Sequence, residues 1–235
     1  MRPPARSSAR IVRITRPRDT LLFDLDGTLT DTDALHFKAY QTLLAPLGRT
    51  ITRDLYKQKI MGAANEAIMA WLFPDEPVAR HRDIAEEKER LFRSFAERML
   101  PLAGLTELLA FAEAHRVKTA VVTNAPRVNA EMMLSALGLA ARFPVLVIGD
   151  ELARGKPDPL PYLTALERLD ARAERALAFE DSRSGVQAAS RAGVETIGML
   201  TGLDDAALRA SGASSTIGDF NDPWLRERLA REFAA

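Results

Sequence analysis

Short apolar runs at 20–25, 117–123, 145–148, 176–179 and 194–197 have the length and the polar flanks of buried strands. Between most of them the period changes. "AGLTELLAFAEAH", "RVNAEMMLSALG", "LPYLTALERL" and "SGVQAASRAG" repeat apolar or small residues every three to four positions, and the second and fourth end at Gly138 and Gly193, where a helix stops readily. Strand and helix in alternation predict parallel pairing through right-handed crossovers, an α/β fold with a doubly wound parallel sheet.

One stretch breaks the alternation. From the first strand to Leu100, about seventy residues carry helical patterns only, including "DALHFKAYQTLLAPLG", "ANEAIMAWLF" and "VARHRDIAEEKERLFRSFAERML". A loop of that length has no place in a compact domain, so an inserted all-α cap is expected over residues 34–100, with the core split between 19–33 and 101–235. Residues 1–18 hold six arginines and no acid. Pro3, Pro4 and Pro17 interrupt any amphipathic helix there, which predicts a disordered basic leader in preference to a targeting segment.

Charge and cysteine content narrow the function classes. Basic and acidic residues number 32 each, so no overall field draws the chain to nucleic acid or to an anionic membrane. No apolar run approaches a membrane span and no signal core precedes the first strand, which leaves a cytoplasmic protein as the expectation, a monomer or weak homodimer. Without cysteine, thiolate nucleophiles, disulfides and cysteine zinc sites are excluded.

The chemistry gathers where the strands end. Open parallel sheets bind ligands beyond the carboxyl ends of their strands. There the chain places Asp24 and Asp26 in "LLFDLDGTLTDTD", Thr123 and Asn124 in "VVTN", Lys156 in "GKPDP", and Glu180 and Asp181 in "FEDS". Residues two apart on a strand share a face, so Asp24 and Asp26 would point the same way. Like charges near 4 Å repel by about 4 kcal/mol even at an effective dielectric of 20, and four converging carboxylates need compensation. Mg²⁺ with Lys156 supplies it: four acids, a divalent cation and one lysine leave a single negative charge, which one proton removes.

In that order, "DLDGT", "VVTN", "GKPDP" and "FEDSRSGVQAA" resemble the four motifs of the haloacid dehalogenase superfamily over about residues 20–200. The inserted cap, with "DTD" and a helix opening "ALHFKAY", resembles the branch that holds phosphoglycolate phosphatase, sugar-phosphate phosphatases and β-phosphoglucomutase. The resemblance implies a Rossmann-like core and a Mg²⁺-dependent phosphatase acting on a small phosphorylated metabolite, of sugar-phosphate or phosphoglycolate type. It implies Asp24 as a nucleophile that carries the phosphoryl group, and Asp26 as the acid and then the base. Gly27 and Thr28 would offer backbone N–H groups to the phosphate, and Thr123, Asn124 and Lys156 would hold its oxygens. Asp24, the Asp26 carbonyl, Asp181 and Glu180 would hold the metal, Glu180 directly or through water.

Substrate choice falls to the cap, where His36, Asn65 and Lys88 are the candidates. His36 stands in "HFKAY" where the mutases have "HFRAW", and Lys88 matches a cap lysine. Asn65 replaces the arginine with which the mutases hold a second phosphate, so a phosphomutase is the weaker enzyme reading. A non-catalytic phosphate-binding module is the alternative of another class, and intact motifs argue against it. Asp31 and Asp33 read as helix caps, "ERLFRSFAERML" as a solvated helix face, and His81 and His115 as surface or packing residues.

Overall fold

Alternation along the first strand decides how the layers form. In β1 (Thr20–Phe23) Leu21 and Phe23 enter one hydrophobic cluster while Leu22 enters another on the opposite face. The computed structural model describes residues 17–96 and 99–233. After β1 come four helices: α1 (Asp33–Leu44), α2 (Arg53–Lys59), α3 (Asn65–Leu72) and α4 (Val78–Phe95). The chain then runs α5 (Leu105–Ala114), β2 (Lys118–Thr123), α6 (Arg127–Ala136), β3 (Val145–Ile148), α7 (Leu160–Arg168) and β4 (Ala176–Glu180). It ends with α8 (Arg183–Arg191), β5 (Glu195–Met199), α9 (Asp205–Ser211), β6 (Ser215–Ile217) and α10 (Pro223–Phe233).

All strand pairs are parallel, in the order β3-β2-β1-β4-β5-β6. The chain leaves β1 for β2 on one side and reaches β4 on the other, so β1 lies at the switch point where a crevice opens. Helices α5, α6 and α10 cover the face of Phe23 and Val121, and α7 and α8 cover that of Leu22 and Ala178. Among the described residues no helix is long and apolar enough to cross a membrane.

Helices α1 to α4 form the inserted cap and enclose a cluster of their own around Tyr40, Tyr56, Ile68 and Met69. Phe92 of α4 instead joins the core cluster beside Leu29 and Ala39, which seats the cap on the sheet. The two chain segments that pass between cap and core are tied together: Leu102 N donates to Leu29 O at 2.9 Å, and Thr30 Oγ1 to Leu100 O at 2.8 Å.

Three details differ from the sequence expectation. The sixth strand, β6, is three residues long and pairs only with β5, too short to show a period. The first strand stops at Phe23, so Asp24 and Asp26 lie in the loop beyond it and their directions are set by partners, not by the pleat. At the leader's end, Arg18 is partly buried and bonded: its Nε donates to Glu232 at 2.9 Å, and its other nitrogens meet Glu195 and the Ala176 carbonyl. Residues 1–16 lie outside the described residues.

Candidate active site

Lys156 is the centre of the arrangement. The expectation of a strand-end lysine holds it in a loop after β3, and the structure buries it: Nζ donates to Asp24 Oδ1 at 2.5 Å, Glu180 Oε1 at 2.6 Å and Val122 O at 2.7 Å. Asn124 fixes that loop, accepting from Lys156 N at 3.1 Å and donating to Lys156 O at 3.3 Å. One N–H and the carbonyl oxygen of Asn124 are thereby engaged by the backbone of Lys156. Glu180, at the end of β4, also accepts from Tyr162 Oη at 2.7 Å and Ser182 Oγ at 3.2 Å, so it lies behind the cavity and orients Lys156.

Asp24, Glu180 and Asp181 each offer a carboxylate oxygen within 4.8 Å of the others. Burial drives the Asp24 carboxyl upward; Lys156 opposes, Glu180 and Asp26 add to the rise, and the group is pushed up to about 8. Asp181 is pushed well up by burial and then by Asp24 and Glu180. Lys156 is held charged, since its two carboxylate partners outweigh the burial that would lower it. Two buried acids driven toward protonation, with hard oxygen donors on adjacent loops, fit a divalent cation such as Mg²⁺. Gly27 makes the approach possible: its φ of +72° suits glycine, and a Cβ there would collide with the Asp181 carboxylate.

Asp26 is held differently, from the cap side. Its Oδ1 accepts from Thr32 Oγ1 at 2.6 Å and from His36 Nε2 at 3.1 Å. Lys88 Nζ donates to His36 Nδ1 at 2.8 Å, so Nε2 carries the ring hydrogen, and the ring is stacked on Phe92 with centroids 4.0 Å apart. Burial would raise the Asp26 carboxyl, but the hydrogen bonds from His36 and Thr32 and the charge of Lys88 outweigh it and hold the group below its ordinary value.

One cavity is lined by Asp24, Asp26, Gly27, His36, Asn65, Lys88, Thr123, Asn124, Lys156 and Asp181, so most of the residues singled out in the sequence face a common space. Thr28 does not line it; its side chain is fully buried. The N–H groups of Gly27 and Thr28 are turned inward, to Thr30 O at 2.8 Å and Leu25 O at 3.3 Å, because the tight loop uses them itself. Thr123 Oγ1 accepts from Ala125 N at 2.9 Å and keeps its own hydrogen for a ligand. Neither Asp31 nor Asp33 caps α1, since Thr32 holds the N-cap position without a side-chain cap bond: Asp31 accepts from Asp33 N at 3.1 Å ahead of the helix, and Asp33 pairs with Arg53 at 2.8 Å. His81 and His115 bond to the carbonyls of Phe73 and Phe111 and take no part.

The helix face read as solvated needs correction at its first residue. Glu89 is buried and bonded to Asn65, Lys88 and Asn129. The spacing of Ala85, Glu89 and Phe92 places it on the inward face of α4, a signal present in the sequence. Thr32, Tyr162 and Asn129 are further contributors with no motif to mark them.

The family model for haloacid dehalogenase-like hydrolases matches residues 21–199. A phosphorylated carbohydrates phosphatase of Thermotoga maritima is 37% identical over 206 residues, covering 85% of this chain and 94% of its own. A phosphoglycolate phosphatase of Xylella fastidiosa is 33% identical, covering 78% and 80%. Among solved structures, a mutant of CbbY from Rhodobacter sphaeroides in complex with xylulose-(1,5)bisphosphate superposes with a TM-score of 0.75 at 28% identity, covering 87% of this chain and 96% of that one. With the model spanning most of the sheet and its four loops, and with relatives matched over nearly their full length, the chain belongs to the haloacid dehalogenase-like hydrolases and is an enzyme of their phosphatase branch.

Proposed function

We propose that this enzyme is a Mg²⁺-dependent phosphatase that releases phosphate from a small metabolite of sugar-phosphate or phosphoglycolate type, by way of a phosphoryl group carried on Asp24. The observation that carries the reading is the unequal holding of two acids facing one cavity: Asp24 by Lys156 within the acid cluster, Asp26 by Thr32 and His36. Asp24 attacks phosphorus in line, its oxygen bonding to phosphorus as the ester oxygen departs. Asp26 gives that oxygen a proton, and as a carboxylate then takes one from the water that cleaves the acyl phosphate. His36 and Lys88 favour the ionised form of Asp26, the form that second step requires, so the proton given in the first step is one that Asp26 takes up as the phosphate dianion binds beside it. The Thr123 hydroxyl binds a phosphoryl oxygen as charge gathers on it, and Lys156, whose three N–H groups are taken by Asp24, Glu180 and Val122, contributes its positive charge.

Mg²⁺ would be held by Asp24, Asp181 and the Asp26 carbonyl, with Glu180 behind them; when bound it supplies the positive charge that lets a phosphate dianion sit among carboxylates. In this reading residues 34–100 are the cap that excludes water, and 19–33 with 101–235 are the catalytic core. A cap loop already sits tightly on the core: a Cβ at Gly62 would collide with Ser182. The relative named for phosphorylated carbohydrates supports the sugar-phosphate side. A phosphomutase needs a cationic grip on a second phosphate, and Asn65 beside Glu89 offers none. The test is phosphate release from a panel of phosphorylated metabolites with Mg²⁺. Release must stop with a chelator and in Asp24→Asn, and more than a few per cent of activity remaining in that variant contradicts the assignment.

A further inference from the structure

The cavity has a second polar cluster, on the cap side away from Lys156, and its centre is an acid. Glu89 is 3% exposed yet lines the cavity with Asn65, Lys88 and Asn129. Its Oε1 accepts from Asn65 Nδ2 at 2.9 Å and Lys88 Nζ at 3.0 Å, and its Oε2 from Asn129 Nδ2 at 2.6 Å. Arg93 donates to Asn129 Oδ1 at 2.8 Å, which turns the amide so that its N–H group meets Glu89. Burial opposes ionisation of Glu89, but the charge of Lys88 and the hydrogen bonds from Asn65 and Lys88 hold the carboxyl below its ordinary value.

The charges on this side cancel. Lys88 is matched by Glu89, and Lys156 is engaged by Asp24 and Glu180. Asn65, Asn129 and Tyr40 are neutral, Asp33 is matched by Arg53, and Asp31 adds negative charge at the same cavity. Among the described lining residues no cation is left over for an anion on the leaving group. Tyr40 adds a second observation: its hydroxyl is buried at this cavity with no hydrogen-bond partner among the described residues. A phenol and two amides donate and accept in the manner an alcohol does, so they match hydroxyl groups.

We propose that Glu89 makes the leaving-group side selective by charge, so that the substrate is the monophosphate of a neutral polyhydroxylated compound. Esters whose leaving alcohol carries a carboxylate or a second phosphate are rejected, because each would face a buried carboxylate whose only cation is already paired. The inference rests on the phosphatase reading and narrows it away from phosphoglycolate.

The experiment measures kcat/KM of the full chain with Mg²⁺ on glucose 6-phosphate, fructose 1-phosphate, ribose 5-phosphate, phosphoglycolate, fructose 1,6-bisphosphate and p-nitrophenyl phosphate. The wild type is expected to favour the best neutral monophosphate over both anionic probes by about tenfold or more. Glu89→Gln frees the charge of Lys88 and should narrow that ratio by about fivefold or more, whereas general damage lowers both activities and leaves the ratio in place. If Glu89→Gln does not fold, Asn65→Lys at a partly exposed position carries the same expectation. A wild-type ratio near one, or a ratio unmoved in the folded variant, overturns the role of Glu89 while the phosphatase reading stands. No phosphate from any probe, p-nitrophenyl phosphate included, sinks both.

Discussion

Lys156 Nζ lies 2.5 Å from Asp24 Oδ1, although 132 residues separate the two in the chain. With Glu180 on its other side, the lysine keeps two buried carboxylates compatible before any metal or phosphate arrives. Replacing it by methionine leaves Asp24 without its partner and Glu180 with hydroxyl donors alone. Lys156→Met is expected to cost about 3–5 kcal/mol in denaturant unfolding as well as the activity. Loss of activity at unchanged stability would mean that the ion pair serves catalysis alone.

On the proposed mechanism the two aspartates separate by the step each would control. p-Nitrophenyl phosphate needs little help to leave, so Asp24 can still be phosphorylated in Asp26→Ala, but no base remains to activate water. Acid-quenched Asp26→Ala should show one phosphoryl mass increment on the peptide spanning 21–33, absent when Asp24→Asn is added. Normal turnover by a metal-binding Asp26→Ala refutes the division of roles.

Metal binding has a readout apart from activity. Asp24 and Asp181 repel one another where they are buried, so a cation that joins them stabilises the fold. At a hundredfold excess over Kd the gain is about 2.7 kcal/mol, seen as a rise in Tm on adding Mg²⁺. Asp181→Asn should raise the metal-free Tm, since a buried amide neither carries a charge nor has to take up a proton, and should lose the Mg²⁺ response. An unchanged Tm in the wild type at millimolar Mg²⁺ counts against the site.

A separate ionic cluster governs stability in acid. Glu195 and Glu232 are partly buried, which opposes ionisation, but hydrogen bonds and charge from Arg228, with a contribution from Arg18, hold both carboxyls below the ordinary value of 4.5. Their contribution is therefore complete above that value and is lost as pH falls through the lowered ones. Arg228→Met should lower stability at pH 7 by about 1–3 kcal/mol, and the difference from wild type should shrink as pH drops below 4. Equal differences at pH 7 and pH 3 would place the effect of Arg228 in packing.

Much of this molecule is legible in its sequence because the signals are local. Apolar runs of strand length, helical periods that end at Gly138 and Gly193, and acids placed just after the runs predict the parallel sheet and the end of it that does chemistry. The insertion shows itself through length alone, since some seventy helical residues cannot be a loop. His36, Asn65 and Lys88 could be named because the resemblance to the β-phosphoglucomutase branch sets them at its cap positions.

What the tertiary structure decided are the matters that depend on which distant groups meet. Asp24 and Asp26 would share a face on a continuing strand; the strand ends at Phe23, and Lys156 from one loop and His36 from the cap set their separate directions. Gly27 reads as a donor to phosphate, but its N–H closes the loop on Thr30 and its missing Cβ admits Asp181 from β4's end. Glu89 sits in a run as charged as any solvated helix face. Only the packing of α4 against α6 gives it Asn129 as a partner, because a carboxylate can be buried when donors from two elements satisfy both its oxygens, and no local pattern records where those donors come from.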